Sequence, residues 1–150
     1  MPIQIRRASP ADLRTVAELF DGYRQFYGQP ADFPLAEAFL SDRLNNDDSV
    51  IFLAMYPVSR TGLGFVQLYP SFSSVAAQRI WILNDLFVAA TARRTGVGPT
   101  LLDAARDFGK STGAKRLVLS TANTNREARA LYESNGYKPD EVFLVYKLEL

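Results

Sequence analysis

The segment from residue 78 to residue 110 most constrains the fold, because its hydrophobic pattern changes across one short turn. Residues 78–88 are apolar enough for a buried strand, and residues 99–110 carry apolar side chains at helical spacing. The turn between them, residues 93–98, contains two arginines and two glycines. The first amides of a helix have no internal acceptor, and the helix dipole favours negative charge there. The sequence therefore predicts a strand, an anion-binding turn and a helix, in this order.

The spacing of the turn excludes two common phosphate-binding loops. A P-loop requires G-x-x-x-x-G-K-[ST], and the chain contains no such string. The dinucleotide-binding fingerprint requires a third glycine at position 101, where this chain has Leu101. The remaining pattern is R-x-x-G-x-G, formed by Arg93, Gly96 and Gly98.

Two residue types are missing from the chain, and their absence restricts its chemistry. Without cysteine there is no disulfide, no thiolate nucleophile and no cysteine-based metal site. Without histidine there is no Ser-His-Asp triad and no histidine base. An acyl-cysteine intermediate is therefore excluded, whereas direct attack by an acceptor on a bound thioester is compatible with these residues.

Length and charge indicate a single domain without a charged macromolecular partner. A chain of 150 residues has the size of one domain, and a net charge of +1 provides no general attraction to nucleic acid. The first ten residues contain no apolar leader, and the longest apolar run, residues 50–56, is too short to span a bilayer. We therefore expect a cytoplasmic protein with no membrane and no nucleic-acid partner.

The remaining patterns predict a mixed α/β sandwich of about seven strands and four helices. Ser9 is the expected N-cap of the first helix, with Pro10 at its first position, and residues 124–127 form the expected capping box of the last. Predicted strands cover residues 3–7, 50–56, 62–69, 78–88, 116–121 and 141–148, with a short additional strand near Tyr137. The other predicted helices cover residues 34–44 and 99–110.

A second motif begins at Asn125 and has the form N-x-x-A-x-x-L-Y-x-x-x-G-[FY], ending in Gly136-Tyr137. Together with R-x-x-G-x-G in the preceding turn, it makes the chain similar to the GNAT superfamily of N-acetyltransferases. The strand residues 83–88 also resemble a Leu-x-Asp-x-Phe-Val stretch of spermidine-type and related small-amine members. The resemblance implies a GNAT-like sheet splayed between strands 4 and 5, acetyl-CoA as cosubstrate, no metal and a homodimer.

The resemblance also implies where acetyl-CoA binds. The turn would hold the pyrophosphate, and the preceding strand would pair with the pantetheine amides and offer an N–H to the thioester oxygen. Arg94 stands where relatives often have glycine, and Pro99 has no amide to donate. Asn125 has the alternative role of a helix-capping residue. The implied cofactor-binding residues are Leu86, Phe87, Val88, Arg93, Arg94, Thr95, Gly96, Val97, Gly98, Thr100, Asn125, Ala128 and Tyr132.

Two side chains are candidates for proton transfer. A phenol with a pKa of about 10 stays protonated at neutral pH, so Tyr132 can protonate the leaving thiolate, as the matching tyrosine is proposed to do in relatives. Its alternative role is packing in the core. Small-amine relatives often use a glutamate as base where this chain has Asn84, which cannot accept the proton. The nearest carboxylate is Asp85, which is either the base or a structural residue that binds backbone amides.

These observations predict an acetyl-CoA-dependent N-acetyltransferase that transfers acetyl directly to a primary amine of a small molecule or peptide in a ternary complex. One alternative is a non-catalytic acyl-CoA sensor, which would bind the cofactor without turnover. Another is a protein or histone N-acetyltransferase, which would act on peptides rather than diamines. Tyr69, Trp81 and Asp32 are expected to line the acceptor side.

Overall fold

The computed structural model describes residues 2–150, which divide into two units, Met1–Ser120 and Thr121–Leu150. The first unit contains a sheet in the order β1-β2-β3-β4-β5, antiparallel except for the parallel pair of β4 and β5. Its strands are β1 (Gln4–Arg7), β2 (Val50–Met55), β3 (Gly62–Ser73), β4 (Gln78–Val88) and β5 (Leu117–Val118). The helices of the chain are α1 (Leu13–Phe26), α2 (Phe33–Asn46), α3 (Val97–Ser111) and, in the second unit, α4 (Arg126–Ser134).

The mixed α/β class and the four helices are confirmed, but the prediction of about seven strands is wrong. Residues 141–148 have the alternating pattern of a strand, yet they join no ladder, and no strand forms near Tyr137 in the part of the chain described. The strand expected over residues 116–121 is reduced to Leu117–Val118. An alternating pattern describes side chains that suit a sheet, but a strand also needs a neighbouring edge that supplies its hydrogen bonds.

One face of the sheet is covered by α1 and α2. Strand β2 directs Ile51, Leu53 and Met55 into a core with Val16 and Phe20 of α1. The opposite face is covered by α3, where the Phe108 ring meets the ring of Phe52 at 5.7 Å and that of Trp81 at 5.0 Å. Strand β2 is therefore buried on both faces, as its continuous apolar run predicts.

Side-chain caps determine where three helices begin. Ser9 and Asp12 form a capping box around a 3-10 turn, Pro10–Asp12, which leads directly into α1. The Asp32 carboxylate accepts the amide of Leu35 and begins α2. In the second unit the cap of α4 is Asn125 rather than the expected box at residues 124–127, because its side chain accepts the amide of Ala128 at 3.1 Å.

An irregularity in β4 decides which of its side chains face α1. Gln67 pairs with Asp85, but the next residue, Leu68, pairs with Leu83, so Asn84 is an extra residue in β4. Such a bulge interrupts the alternation of the strand. It allows Asp85 to lie on the α1 face while Leu83, two residues earlier, lies with Leu68 on the opposite face.

The parallel pairing of β4 and β5 is short. It consists of Trp81 with Leu117 and Ile82 with Val118, whereas β4 continues to Val88. Beyond Ile82 the far edge of β4 is therefore unpaired within the described ladders, which is the splay expected from the sequence. Within residues 2–150, no helix is both long and apolar enough to cross a membrane.

Candidate active site

The turn before α3 has the backbone geometry that an anion site requires. Gly96 is the N-cap residue and adopts a left-handed conformation at φ 87°, so the helix begins at Val97. The amides of Val97 and Gly98 lie in the first turn, where the helix offers them no acceptor. No acidic side chain lies in this first turn, so the positive end of the helix dipole is not neutralised there.

Two residues that depart from the usual turn sequence are accommodated differently. Arg94 adopts a left-handed backbone at φ 63°, a conformation in which glycine has no steric cost and other residues do. Pro99 stands at the third helical position and has no N–H, so the first turn has one donor fewer. Both the amide and the hydroxyl of Thr100 donate to the Gly96 carbonyl, at 3.2 and 2.7 Å. Thr100 therefore stabilises the turn, and its amide already has an acceptor.

Arg93 connects the turn to the end of β4. Its Nε donates to the Val88 carbonyl at 3.1 Å, and its guanidinium lies 5.8 Å from the Phe26 ring and 5.9 Å from the Phe87 ring. Cation–π contacts of this length stabilise the side chain against both aromatic faces. Arg93 thus positions the turn and the strand relative to each other, and its role toward phosphate stays a prediction.

Gly64 makes a close approach at the end of β4 possible, and sequence reasoning missed it. It pairs with Val88, and a Cβ on Gly64 would lie 2.6 Å from the Phe87 carbonyl oxygen and 3.2 Å from Val97 Cγ1. A side chain here would push β3 away from both the end of β4 and the start of α3. The available signal was a glycine inside an apolar strand, which often marks a close backbone approach.

The cofactor-binding strand residues 86–88 lie at the edge of β4 that β5 leaves unpaired. The Phe87 side chain packs against α1, where a Cβ on Gly22 would meet its ring at 3.2 Å, and its ring lies 6.4 Å from that of Tyr23. Its side chain therefore serves the core, which leaves the backbone for contacts with a ligand, as expected.

Asp85 is the centre of a buried polar cluster on the α1 face of the sheet. Its side chain is 2% exposed, and it accepts hydrogen bonds from Gln67 Nε2 at 2.5 Å and from Asn84 Nδ2 at 2.7 Å. The hydroxyl of Tyr23 in α1 also bonds to it and donates to the Asn84 carbonyl at 3.3 Å. The alternative in which Asp85 binds backbone amides is therefore wrong, because its hydrogen-bond partners here are side chains.

Two features of this cluster are incomplete without a further donor. Within residues 2–150, no lysine or arginine forms an ion pair with Asp85. Gln67 is fully buried, and within the same residues its Oε1 accepts no hydrogen bond. Buried carboxylates and buried amide oxygens are costly unless they are paired. The cluster therefore has two acceptors that a cationic N–H group would satisfy.

The environment of the cluster changes the acidity of two side chains. Burial raises the pKa of Asp85 above its ordinary value, although hydrogen bonds from Asn84, Gln67 and Tyr23 act in the opposite direction. Burial, followed by the nearby charge of Asp85, raises the pKa of Tyr69 to about 12. Tyr69 is therefore protonated throughout the neutral range, and Asp85 is a stronger proton acceptor than an exposed aspartate.

Of the three residues expected on the acceptor side, only Tyr69 lies near Asp85. It shares the face of β3 that carries Gln67, and its pKa responds to the Asp85 charge. Trp81 packs instead against α3, and its Nε1 donates to Thr112 Oγ1 at 2.9 Å. Asp32 is the cap of α2, and its amide donates to Asp21. The bulge at Asn84, which reverses the alternation of β4, is the reason that Trp81 and Asp85 face opposite sides.

The second unit carries the remaining predicted site residues. Asn125 and Ala128 form the capping hydrogen bond of α4, so the structural role of Asn125 is confirmed and its contact with the cofactor stays a prediction. Tyr132 lies in α4, partly buried, with its ring 5.8 Å from that of Tyr137 in an edge-to-face arrangement. Its proposed part in proton transfer rests on the motif.

Comparison with known proteins agrees with this fold and these motifs. The model of the Acetyltransferase (GNAT) family matches residues 13–137. The chain is 49% identical over 148 residues to the uncharacterized N-acetyltransferase YhfO of Bacillus subtilis strain 168, covering 99% of this chain and 98% of that protein. It is 30% identical over 107 residues to the L-ornithine N5-acetyltransferase NATA1 of Arabidopsis thaliana, covering 71% of this chain and 41% of that protein.

A crystal structure of a probable acetyltransferase superimposes with a TM-score of 0.93 at 41% identity, covering 98% of this chain and 97% of the other. The chain therefore belongs to the GNAT acetyltransferase family, and it is an N-acetyltransferase, an enzyme of the acyltransferase class EC 2.3.1.

Proposed function

We propose that this enzyme transfers acetyl from acetyl-CoA directly to the primary amine of a small molecule, with Asp85 accepting the amine proton. The observation that carries the proposal is the buried pair of Asp85 and Gln67, which has acceptors for an ammonium group and no cation of its own. The partners are acetyl-CoA, the amine and, as the resemblance implies, a second copy of the chain.

The start of α3 has the donors that a diphosphate needs. The amides of Val97 and Gly98 are in the first turn, Arg94 is exposed beside them, and no carboxylate opposes an anion there. The absence of an amide at Pro99 is consistent with a site that uses fewer backbone donors than most turns of this type. Acetyl-CoA thus supplies an activated thioester, and the chain supplies the site that holds its diphosphate.

The splayed part of β4 provides a place for the pantetheine arm. Beyond Ile82, the edge of β4 facing away from β3 keeps hydrogen-bonding groups that β5 does not use. An extended amide chain can pair with such an edge as an added strand would. We propose that Leu86, Phe87 and Val88 contact the arm through their backbone, and that one of their amides binds the thioester oxygen.

The Asp85 cluster has the chemistry to bind and deprotonate an amine. A free alkyl amine is protonated at neutral pH, so it arrives as a cation and must lose a proton before it attacks. The carboxylate of Asp85 and Oε1 of Gln67 orient the ammonium through two of its hydrogens. The aromatic rings of Tyr23 and Phe87, 6.4 Å apart, line the same face and favour a cation over an anion.

The proton balance of the reaction requires one acceptor and one donor. Asp85, whose pKa burial raises, takes a proton from the ammonium directly or through one water. The amine nitrogen then bonds to the acetyl carbon as the carbon–sulfur bond breaks. The hydroxyl of Tyr132 gives a proton to the leaving thiolate, and the second amine proton leaves to solvent.

Two observations favour a small amine over a protein substrate. The polar cluster is enclosed, with Asp85 and Gln67 both buried beneath Tyr23. In addition, one of the relatives described above is named as an acetyltransferase of ornithine, a small amino acid with a side-chain amine. An exposed peptide groove would be the feature expected of a protein acetyltransferase.

The decisive experiment measures CoA release across a panel of diamines, amino acids and peptides, with mass spectrometry of the product. We expect acetylated product from at least one small amine and little from peptides. Turnover on peptides alone would assign the chain to the protein acetyltransferases. Binding of acetyl-CoA in calorimetry with no turnover on any amine would support the alternative of an acyl-CoA sensor and contradict the proposal.

A further inference from the structure

The C-terminal ten residues carry the largest set of exposed apolar side chains in the described part of the chain. They form no helix and join no strand ladder. Each of the large apolar side chains among them is more than three quarters exposed, namely Val142, Phe143, Leu144, Val145, Tyr146, Leu148 and Leu150. Scattered exposed leucines are ordinary, but a continuous run of this size marks an interaction surface.

The sequence of this C-terminal segment, residues 141–150, is that of a strand. It is rich in β-branched and aromatic residues and contains no glycine or proline. At its start, the Asp140 carboxylate accepts the amides of Val142 and Phe143 at 2.8 and 3.1 Å, which lowers the pKa of Asp140. This turn directs the segment away in an extended conformation.

The edge of the sheet at β5 is incomplete in a matching way. Strand β5 is the last of the five, and only two of its residues pair with β4. The sequence around it is apolar, yet Val118 is 41% exposed. An edge strand of this kind exposes unpaired backbone groups that can accept another strand.

We infer that the C-terminal segment of one copy of this chain forms a strand on the β5 edge of a second copy, and that the exchange is reciprocal. A reciprocal exchange produces a closed two-fold dimer in which each edge is covered once. The partner then extends the sheet on the side where β4 and β5 diverge. This inference goes beyond the proposed acetyl transfer and does not depend on it.

Charge supports an antiparallel orientation for the added strand. The residues that precede and begin β5 include Lys115 and Arg116, both exposed, whereas the segment ends with Glu149 and the terminal carboxylate. An antiparallel arrangement places the acidic end of the segment beside the basic start of β5. A parallel arrangement would separate these opposite charges and bring Glu141 to the basic end instead.

The area available is that of a stable dimer. Seven large apolar side chains, each losing on the order of 100 Å² to a partner, remove about 700 Å² per segment, and the covered surface of the partner contributes a similar area. Two reciprocal segments therefore bury about 2,800 Å², which is within the range of permanent homodimers. A single segment held against solvent would instead expose this surface in a monomer.

The absence of cysteine from the chain allows a clean cross-linking test. One tagged chain carries Val118→Cys, and a second, differently tagged chain carries one cysteine in place of Val145, Tyr146, Lys147 or Leu148. The two are co-expressed and oxidised. We expect a disulfide-linked product of twice 16.7 kDa, with yields that alternate along the segment because every second side chain of a strand faces the same way.

The matched control replaces Val118→Cys by Val75→Cys, which is fully exposed in the turn between β3 and β4 and should yield no product. A chain with both cysteines, at 118 and in the segment, distinguishes exchange from folding back. If it oxidises at monomer mass while the mixed chains give no product, the inference is overturned.

Sedimentation of the unmodified protein provides the second measurement. We expect a dimer, and we expect a monomer after removal of residues 141–150 or after Val145→Asp in the intact segment. The substitution keeps the test valid if the shortened chain does not fold. A monomeric unmodified protein, or a dimer that survives both changes, would contradict the exchange.

Discussion

The two parts of the candidate site differ in how they are made. The anion site at the start of α3 is local: a glycine at φ 87°, two amides and an arginine, all within six residues and near the surface. The amine site around Asp85 is assembled from α1, β3 and β4 and is buried. One part attracts anions with backbone groups, and the other attracts cations with a carboxylate. The enzyme therefore keeps its two substrates apart by charge as well as by position.

The comparison is tested most strongly by Asp85→Asn. The substitution keeps the shape of the side chain but removes the proton acceptor, so we expect kcat/KM for the amine to fall by about a hundredfold or more. The dissociation constant of acetyl-CoA should be unchanged, because the anion site is separate. Steady-state kinetics and calorimetry give both values.

Asp103→Asn is the matched control for this substitution, because Asp103 is an exposed acid on α3 whose ion pair with Arg106 lies at the surface. It should leave both measurements unaffected. Equal losses in amine turnover and in acetyl-CoA binding for Asp85→Asn would show that the two sites are not independent and that Asp85 acts on the fold.

Tyr132→Phe tests whether a third group is needed for the leaving thiolate. We expect kcat to fall about tenfold or more, because the variant has no proton to give, while acetyl-CoA affinity changes little. Stopped-flow or steady-state assays measure the change. An unaltered kcat would remove Tyr132 from the mechanism and leave water as the proton donor.

Gly96→Ala addresses the other side of the comparison. A side chain at a left-handed residue costs about 1–2 kcal/mol, so we expect acetyl-CoA to bind about five- to tenfold more weakly and the KM of the amine to remain similar. Gly113→Ala is the control, because Gly113 has φ 72°, open space around it and a position after the far end of α3. It should carry similar strain without weakening acetyl-CoA binding.

The pH dependence of stability provides the smallest effect. Burial raises the pKa of Asp85 in the folded state, so Asp85 favours folding when it is protonated and this contribution is lost as the pH rises through the folded pKa. The melting temperature of Asp85→Asn relative to the unmodified enzyme should therefore be higher at about pH 7 than at about pH 4. A difference that does not change with pH would mean that the Asp85 carboxylate is not destabilised by its surroundings.

The local part of the site was predictable from the sequence, and the assembled part was not. A glycine turn between a strand and a helix has the same geometry in most folds, so the positions of Gly96, Val97 and Gly98 followed from the chain alone. The position of Asp85 depends on a one-residue bulge at Asn84, which no periodic pattern reveals. Without the bulge, strand alternation left residues 84 and 85 equally possible.

The strand count failed for a related reason. Residues 141–148 alternate as well as any strand in the chain, but alternation does not state which edge receives them. Gly64 and Gln67 were also missed, because their importance comes from pairing with Val88 and Asp85, which lie 24 and 18 positions away in the chain. Contacts between distant segments are the information that a single sequence carries least directly.

The most direct measurement is a crystal structure of the enzyme with both CoA and an amine that turns over. The account predicts diphosphate oxygens within hydrogen-bonding distance of the Val97 and Gly98 amides, and the amine nitrogen bound to Asp85 directly or through one water. A nucleotide bound elsewhere, or an amine remote from an Asp85 that still contacts only Gln67, Asn84 and Tyr23, would contradict it.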